Sequence, residues 1–253
     1  MGWVDLRGKE ISVRILAGVI VCMAALSWSC RSAPGVETRE EFDFRPLASR
    51  VGDPELVRRI EGVALTLLAV DAWTEERVLR QRVRIEWGGG SESFDAVLQR
   101  RPGELSLIGL GPMNLVGFRL ALLASGEQQA GPEKVEFENR SGQALPFTPT
   151  HLLADVQRVF YPWLLGVPDC RDCERSGRRG LVAVWEKVGE RQLEERRFGI
   201  VDALDQGSVR VRYSDWQGDP AMPRHVELEN GWFGYRITID TLESLAADDP
   251  TSP

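Results

Sequence analysis

Residues 82–98, RVRIEWGGGSESFDAVL, decide the fold class of this 253-residue chain. Apolar residues alternate with polar ones on either side of three consecutive glycines: Val83, Ile85 and Trp87 before them, and Phe94, Ala96 and Leu98 after them. A period of two is typical of strands with one buried face, and a glycine turn between two such runs predicts a β-hairpin. The sequence therefore predicts that an antiparallel sheet begins here.

The same alternation predicts further strands over residues 104–110, 116–123, 134–138, 181–187, 196–201, 209–213, 224–229 and 235–239. Most of the turns between them are short. Such strands pair antiparallel, because parallel neighbours need a crossover of about a dozen residues or more.

Two helices complete the pattern. Asp53 before Pro54 is typical of a helix start, and so is Thr148 before Pro149. The second helix, over residues 148–160, places its apolar residues on one face: Leu152, Leu153, Val156, Val159 and Phe160. We therefore expect an α+β fold, in which a strongly curved antiparallel sheet has its concave face covered by helix.

The N-terminus has the features of an export signal. An apolar run over residues 15–28 follows Arg7, Lys9 and Arg14, and it is too short to span a bilayer, which takes about 20 residues. Small residues then precede Cys30, and the arrangement resembles the lipobox of bacterial lipoproteins. Three interpretations stay open: a lipoprotein signal, an ordinary secretory signal cut nearby, and an uncleaved anchor. All three place the domain outside the cytoplasm.

A lipid on Cys30, such as palmitate, would hold the chain at a membrane without a spanning helix. Arg31 follows where the sorting rule for inner-membrane lipoproteins has aspartate, so the resemblance favours the outer membrane, on its periplasmic face. The predicted organisation is a signal peptide at residues 1–29, the lipidated cysteine and a flexible tether at 30–52, one domain at 53–243, and a disordered tail at 244–253.

Cys170 and Cys173 form an isolated C-x-x-C pair. In an oxidising compartment this spacing favours a local disulfide or two exposed thiols. A zinc site would need further ligands, such as His151 or His225, and a redox motif would need a helix start after a strand. We predict neither a metal nor another cofactor.

Charge and motifs argue against two functional classes. The formal net charge of −7 argues against nucleic-acid binding, which depends on a surplus of Lys and Arg. No catalytic motif is present, and two histidines are few for acid–base chemistry. Asp155 and Gln157 are expected to form helix–sheet or helix–loop hydrogen bonds, and His151 to be a surface or capping residue; an enzyme would instead need a buried, strongly perturbed cluster around Asp155 and Gln157.

Apolar residues on the strands and around the second helix are candidates for the lining of a ligand groove between sheet and helix. The same composition also suits a filled core, so both interpretations stay open. The candidates are Leu105, Leu107, Phe118, Leu120, Leu122, Leu152, Val156, Phe160, Trp163 and Trp185.

Several stretches resemble the uncharacterised bacterial lipoproteins of domain of unknown function 3261: residues 93–99, 105–110, 152–163, 226–230 and 234–242. The helix motif ending at Pro162 and the strand that begins Gly234-Tyr235 are the most specific. That family is similar to the lipoprotein-localisation proteins LolA and LolB. The resemblance implies a half-open β-barrel that holds acyl chains in its concave face. It also implies genes near those for aryl polyene lipids, and partners among outer-membrane or biosynthetic-cluster proteins.

We therefore expect a non-enzymatic outer-membrane lipoprotein that binds or transfers a lipid or acylated molecule, of aryl-polyene or fatty-acid type, in a hydrophobic groove. The alternative is a structural or assembly lipoprotein. Such a protein would dock to partner proteins through exposed apolar surface or a sheet edge.

Overall fold

The structure is a computed structural model, and it describes residues 42–111, 113, 115–124, 134–140, 148–164, 171–190, 192–201, 207–218 and 222–246. The described residues from Asp43 onwards belong to one compact unit. The predicted signal peptide, Cys30, Cys170 and most of the predicted tail lie outside the described residues.

Eleven antiparallel strands form one sheet, with the order β5-β4-β3-β2-β1-β11-β10-β9-β8-β7-β6. The first and last strands pair at its centre, whereas β5 and β6 are its two edges, so the sheet is not closed. The strands are β1 Arg77–Trp87, β2 Gly90–Arg101, β3 Glu104–Leu110, β4 Val116–Leu123, β5 Lys134–Asn139, β6 Cys173–Arg179, β7 Val182–Val188, β8 Leu193–Ile200, β9 Val209–Gln217, β10 Met222–Asn230 and β11 Tyr235–Ala246.

The predicted hairpin is confirmed, since Val83 of β1 lies opposite Phe94 of β2. Antiparallel pairing is confirmed for every pair of neighbouring strands. The sequence predicted ten strands and missed β6, which it placed in a cysteine loop. β6 carries the sequence CERSGRR, which has no apolar alternation, because an edge strand buries little side-chain surface.

In the part of the chain that the structure describes, three α-helices and a short 3-10 turn accompany the sheet: α1 Leu47–Arg50, α2 Pro54–Ala64, the turn Val70–Ala72, and α3 Pro149–Phe160. α2 begins as predicted, because the Asp53 side chain accepts hydrogen bonds from the backbone of Glu55 and Leu56. α3 also begins where predicted, although the Thr148 side chain makes no capping hydrogen bond. None of these described helices is long and apolar enough to cross a membrane.

α3 packs against one face of the sheet, which we name the inner face. The Tyr213 hydroxyl of β9 donates to the Val159 carbonyl of α3 at 2.9 Å, and the Trp163 ring beyond α3 meets Phe198 of β8 edge-on at 5.0 Å. Nine neighbouring strands each place a buried apolar side chain on this face: Leu120, Leu107, Leu98, Val83, Ile237, Leu228, Val211, Phe198 and Val184. These residues form one continuous core with the apolar face of α3.

The opposite, outer face carries ion pairs. They include Arg84 with Glu86 at 2.8 Å, and Arg236 with Glu229 at 2.9 Å. Most of these pairs are partly exposed, so each contributes little to stability, typically about 1 kcal/mol or less. The sheet thus separates a packed interior from a charged surface.

Candidate functional site

The structure brings nine of the ten groove candidates together, and it places them in the core. Eight are buried, at 6% exposure or less, and Phe160 is partly buried against them. Trp185 does not join this group. It lies on the outer face, where the Arg197 guanidinium covers its ring at 4.7 Å, because in β7 it alternates with the inward-facing Val184 and Glu186.

An apolar pocket of about 290 Å³ lies at one end of the inner face. We name it the aromatic pocket; its lining is Phe44, Pro46, Ile85, Trp87, Gly88, Phe233, Gly234 and Tyr235. None of these lining residues is charged. Four of the eight are aromatic, and they offer flat apolar surface with few polar atoms.

Three parts of the chain build this pocket. Trp87 ends β1 and lies opposite Tyr235, which begins β11. Phe233 comes from the turn between β10 and β11. Phe44 and Pro46 come from residues 43–50, which we name the strap.

Gly234 allows the strap to approach the sheet. It has a φ of +72°, in the left-handed region, and a Cβ atom there would overlap the carbonyl oxygen of Phe44. The strap lies within the tether predicted over residues 30–52. Leu47 of the strap is only 3% exposed, so this end of the predicted tether packs against the domain.

A buried polar cluster lies beside the pocket. The Tyr235 hydroxyl donates to Asp155 of α3, which also accepts from Arg158 at 2.6 Å and from Asn230 at 3.3 Å. Burial raises the pKa of Tyr235 well above its usual range, and the nearby Asp155 carboxylate adds to this. The Tyr235 hydroxyl thus stays protonated and points to Asp155.

Gln157 makes the helix–loop contact that its place on α3 predicted. Its amide exchanges two hydrogen bonds with the backbone of Leu68, at 2.7 and 2.9 Å. Tyr161 donates to the carbonyl of Val70 at 3.0 Å. With Asp155 bound to the sheet, both predicted types of hydrogen bond are confirmed, and these side chains hold α3 in place.

The C-terminal end of α3 is held by a buried arginine that the sequence did not reveal. Arg196 Nη1 donates to the carbonyl oxygens of Arg158 at 2.8 Å and Tyr161 at 3.0 Å. Its Nε donates to Glu186 at 2.7 Å, and Glu186 also accepts from Arg175. A positive charge is favourable here, because the last carbonyl groups of a helix lack partners within it.

His151 differs from the surface or capping role predicted for it. It is half-buried, and its ring stacks on Phe233 of the aromatic pocket at 4.1 Å and 17°. Burial lowers its pKa, against the opposing effect of Asp155. The imidazole therefore supports one wall of the pocket from outside.

The described residues contain no group of His, Cys, Asp and Glu side chains that could hold a metal ion. Cys173 is disulfide-bonded. Its pairing with Cys170 stays a prediction, since Cys170 is not among the described residues.

A family model for proteins of unknown function, DUF3261, matches residues 78–243. The chain belongs to the DUF3261 family. The match runs from the second residue of β1 into β11 and so covers nearly all of the sheet, and α3. The strap of this DUF3261 protein lies outside the matched range. No curated protein is significantly similar to it in sequence.

Three solved structures are similar to this DUF3261 protein. A domain named for outer membrane lipoprotein sorting, from Vibrio parahaemolyticus, is 8% identical, with a TM-score of 0.41, covering 77% of this chain and 93% of its own. A LolA superfamily protein from Nitrosomonas europaea is 11% identical, with a TM-score of 0.42 and coverages of 78% and 94%. A DUF1329 family protein from Desulfovibrio piger is 14% identical, with a TM-score of 0.42 and coverages of 81% and 95%.

Proposed function

We propose that this protein is a non-catalytic outer-membrane lipoprotein, anchored through Cys30, that binds or transfers a lipid or acylated molecule. An acyl chain of the cargo, of fatty-acid or aryl-polyene type, occupies the aromatic pocket. In this proposal the inner face is the concave face of the sheet, with α3 covering it. The proposal rests on one observation above all: an apolar, aromatic-lined pocket at the end of a filled core.

The size of the pocket limits the cargo. A cavity of about 150 Å³ with apolar walls is enough to bind benzene, and the aromatic pocket measures about 290 Å³. Known ligand pockets begin at about 300 Å³. The pocket thus fits part of one acyl chain, and the rest of the molecule extends outwards.

The chemistry of the lining suits such a chain. Burying a methylene group contributes about 0.8 kcal/mol, whatever its orientation. Charged headgroups find no counter-ion among the lining residues. A lipid would therefore bind tail first.

Native mass spectrometry with lipid extraction tests the proposal. The chain from Arg31 to Pro253 keeps the whole compact unit, and it would be purified from a periplasm without detergent. We expect a stoichiometric co-purifying lipid or acyl ester. The proposal would be overturned if the protein were purified without a ligand and also failed to bind a fluorescent fatty acid, 11-(dansylamino)undecanoic acid.

A matched pair of variants locates the site. Gly88 lines the pocket, and a Cβ atom there would meet Phe44, whereas a Cβ atom on Gly52 would meet nothing within 4 Å. We expect the Gly88→Leu side chain to occupy part of the volume that the acyl chain would fill and to weaken binding about tenfold, which corresponds to about 1.4 kcal/mol. Gly52→Leu should bind like the wild type.

A second candidate function, docking to partner proteins, is favoured by the β5 edge. Val135 and Phe137 are 36% and 41% exposed there, although they lie opposite the buried Leu122 and Leu120 of β4. Exposed apolar surface on an edge strand is a typical docking feature. Cross-linking from Phe137 that captures a defined envelope protein, together with failed lipid binding, would favour this alternative.

A further inference from the structure

The edge strand β5 has two faces of different character. Val135 and Phe137 lie opposite the buried Leu122 and Leu120 of β4, so they extend the apolar inner face to the edge of the sheet, where both are exposed. The side chains that alternate with them point to the outer face and are charged: Lys134, Glu136 and Glu138. β5 is the last strand in the sheet order, so none of the described strands lies beyond it.

The backbone of β5 is oriented for further pairing. The Arg140 N–H donates to the carbonyl of Gly117, the residue opposite it before β4 meets β5, at 2.8 Å. Antiparallel strands alternate hydrogen-bonded and non-hydrogen-bonded pairs, so residues 134, 136 and 138 bond to β4. Val135 and Phe137 therefore direct their N–H and C=O groups away from β4. Such a row of backbone groups is a template for another strand.

The other edge of the sheet, β6, is a poor partner for β5. Its sequence, CERSGRR, has three arginines, one glutamate and no aliphatic or aromatic residue. Two copies of β6 would bring like charges together, and β6 offers no apolar side chain to Phe137. Pairing through β5 alone uses the same surface on both partners, so it ends at two copies and does not grow into a fibre.

Two copies of β5 fit each other in one antiparallel register. With Glu136 on the two-fold axis, Val135 of each copy lies opposite Phe137 of the other, and Lys134 lies opposite Glu138. Apolar pairs and pairs of opposite charge both stabilise neighbouring strands. Val135 and Phe137 would also exchange four backbone hydrogen bonds across the axis. The two Glu136 side chains face each other, but each is paired with Lys134 of its own strand at 2.7 Å.

The neighbouring registers are worse. With Phe137 on the axis, Lys134 would lie opposite Arg140, and Glu136 opposite Glu138, so that every charged pair would be repulsive. With Val135 or Glu138 on the axis, Phe137 would have no apolar residue opposite it.

We propose that two copies of this protein pair through β5, antiparallel and with Glu136 on the two-fold axis, so that their sheets become continuous. One strand pair makes a small interface, so the association is weak and depends on concentration. The inference goes beyond the proposed function and does not depend on lipid binding, because the aromatic pocket contains no residue of β5.

Cysteine cross-linking of the chain from Arg31 to Pro253 tests the register. Opposed residues of a non-hydrogen-bonded pair have Cα atoms about 4.5 Å apart, which a disulfide spans. We expect Glu136→Cys to form a covalent dimer under mild oxidation.

Lys134→Cys and Glu138→Cys are the matched controls, because both side chains are more exposed than that of Glu136. Each lies four residues along the strand from its own copy, about 13 Å, so neither should cross-link alone. A mixture of these two variants should give a mixed dimer, since the register places them opposite each other. If Glu136→Cys cross-linked no faster than the controls, or if the mixed dimer did not form, the proposal would be overturned.

Sedimentation equilibrium measures the association without a cross-link. Lys134→Glu would place two carboxylates opposite each other on both sides of the axis, and we expect the dimer dissociation constant to rise about tenfold. Adding Glu138→Lys restores opposite charges and should restore the wild-type constant. An equal constant in all three proteins would contradict the register.

Hydrogen exchange identifies a different occupant of the edge. The amides of Val135 and Phe137 should become protected as the protein concentration rises. Protection in a protein that stays monomeric would show that another segment of the same chain covers β5, and it would overturn the proposal.

Discussion

The side-chain amide of Gln157 forms two hydrogen bonds with a single residue, Leu68: Oε1 accepts from the Leu68 N–H at 2.7 Å, and Nε2 donates to the Leu68 carbonyl at 2.9 Å. Gln157 is fully buried, and Leu68 nearly so. The pair joins α3 to the segment between α2 and β1. That segment has no strand partner at Leu68, so the amide supplies the backbone hydrogen bonds that a neighbouring strand would otherwise provide.

Replacing Gln157 with leucine should therefore destabilise the protein strongly. The variant leaves a buried N–H and a buried carbonyl without partners, at about 1–3 kcal/mol each. Urea unfolding measures the effect. The control is Gln217→Leu, at an exposed position of β9, whose stability should stay within about 0.5 kcal/mol of the wild type. If Gln157→Leu were as stable as this control, the proposed role of the Gln157–Leu68 hydrogen bonds would be refuted.

Asp155 is the residue on which the buried polar cluster depends. Asp155→Asn keeps its shape but leaves the charge of Arg158, only 2% exposed, without its carboxylate. Breaking a buried ion pair in this way costs about 3–5 kcal/mol. Tyr235→Phe removes two hydrogen bonds, one donated to Asp155 and one accepted from Asn230 at 3.0 Å, but it leaves the ion pair intact and should cost less, about 1–3 kcal/mol. Chemical denaturation of both variants gives the comparison, and the reverse order would contradict this account of the cluster.

Arg196 and its neighbour Arg197 form a natural matched pair in β8. Arg196 holds the carbonyl groups at the end of α3 from the inner face, whereas Arg197 covers Trp185 on the outer face. Arg196→Met would leave Arg175 as the only cation that pairs with the buried Glu186. We expect the free energy of unfolding to fall by about 3–5 kcal/mol. Arg197→Met should cost about 1 kcal/mol or less. Thermal unfolding measures both variants. If Arg196→Met and Arg197→Met lost similar stability, the burial of Arg196 would not explain its role.

Periodicity predicted the parts of the fold that repeat. The hairpin around Gly88, the antiparallel pairing and the start of α3 at Pro149 follow from local patterns of two or 3.6 residues. Each of these elements could be predicted from the residues within it alone. The packing of α3 against the sheet likewise follows from its apolar face.

The pocket and the buried charges do not follow from local patterns. The pocket combines residues that are far apart in sequence: Phe44, Trp87 and Phe233. Phe44 also lies in a charged stretch whose composition predicts a tether. Glu186 and Arg196 lie in strands where charge normally indicates the solvent face. Their burial depends on unpaired carbonyl groups at the end of a distant helix, which no pattern in β7 or β8 reveals.

Tyr213 should make the protein sensitive to alkaline conditions. Burial raises its pKa from 10 to about 12, although Arg196 opposes the shift. A raised pKa contributes stability that is complete below pH 10 and is lost as the pH rises towards 12, on the order of 3 kcal/mol. Unfolding free energies measured across this window should fall less steeply for Tyr213→Phe. Equal slopes would show that the hydroxyl does not titrate as its burial requires.

His151 gives the opposite dependence at acid pH. Burial against Phe233 lowers its pKa below 6.5, so the folded state favours the neutral ring, and this contribution to stability is lost as the pH falls through the lowered pKa. His151→Phe keeps an aromatic ring against Phe233 but cannot titrate. We expect this variant to lose less stability than the wild type between about pH 7 and pH 5.

Nuclear magnetic resonance tests the same point directly, because the chain has only two histidines. The imidazole signal that disappears in His151→Phe should titrate below pH 6.5 in the wild type. If the aromatic pocket binds an acyl chain, the ligand should lower the His151 pKa further, because a filled pocket excludes more water from the Phe233 wall. A midpoint at or above 6.5, with or without ligand, would mean that the ring is solvated and that the stack is not maintained in solution.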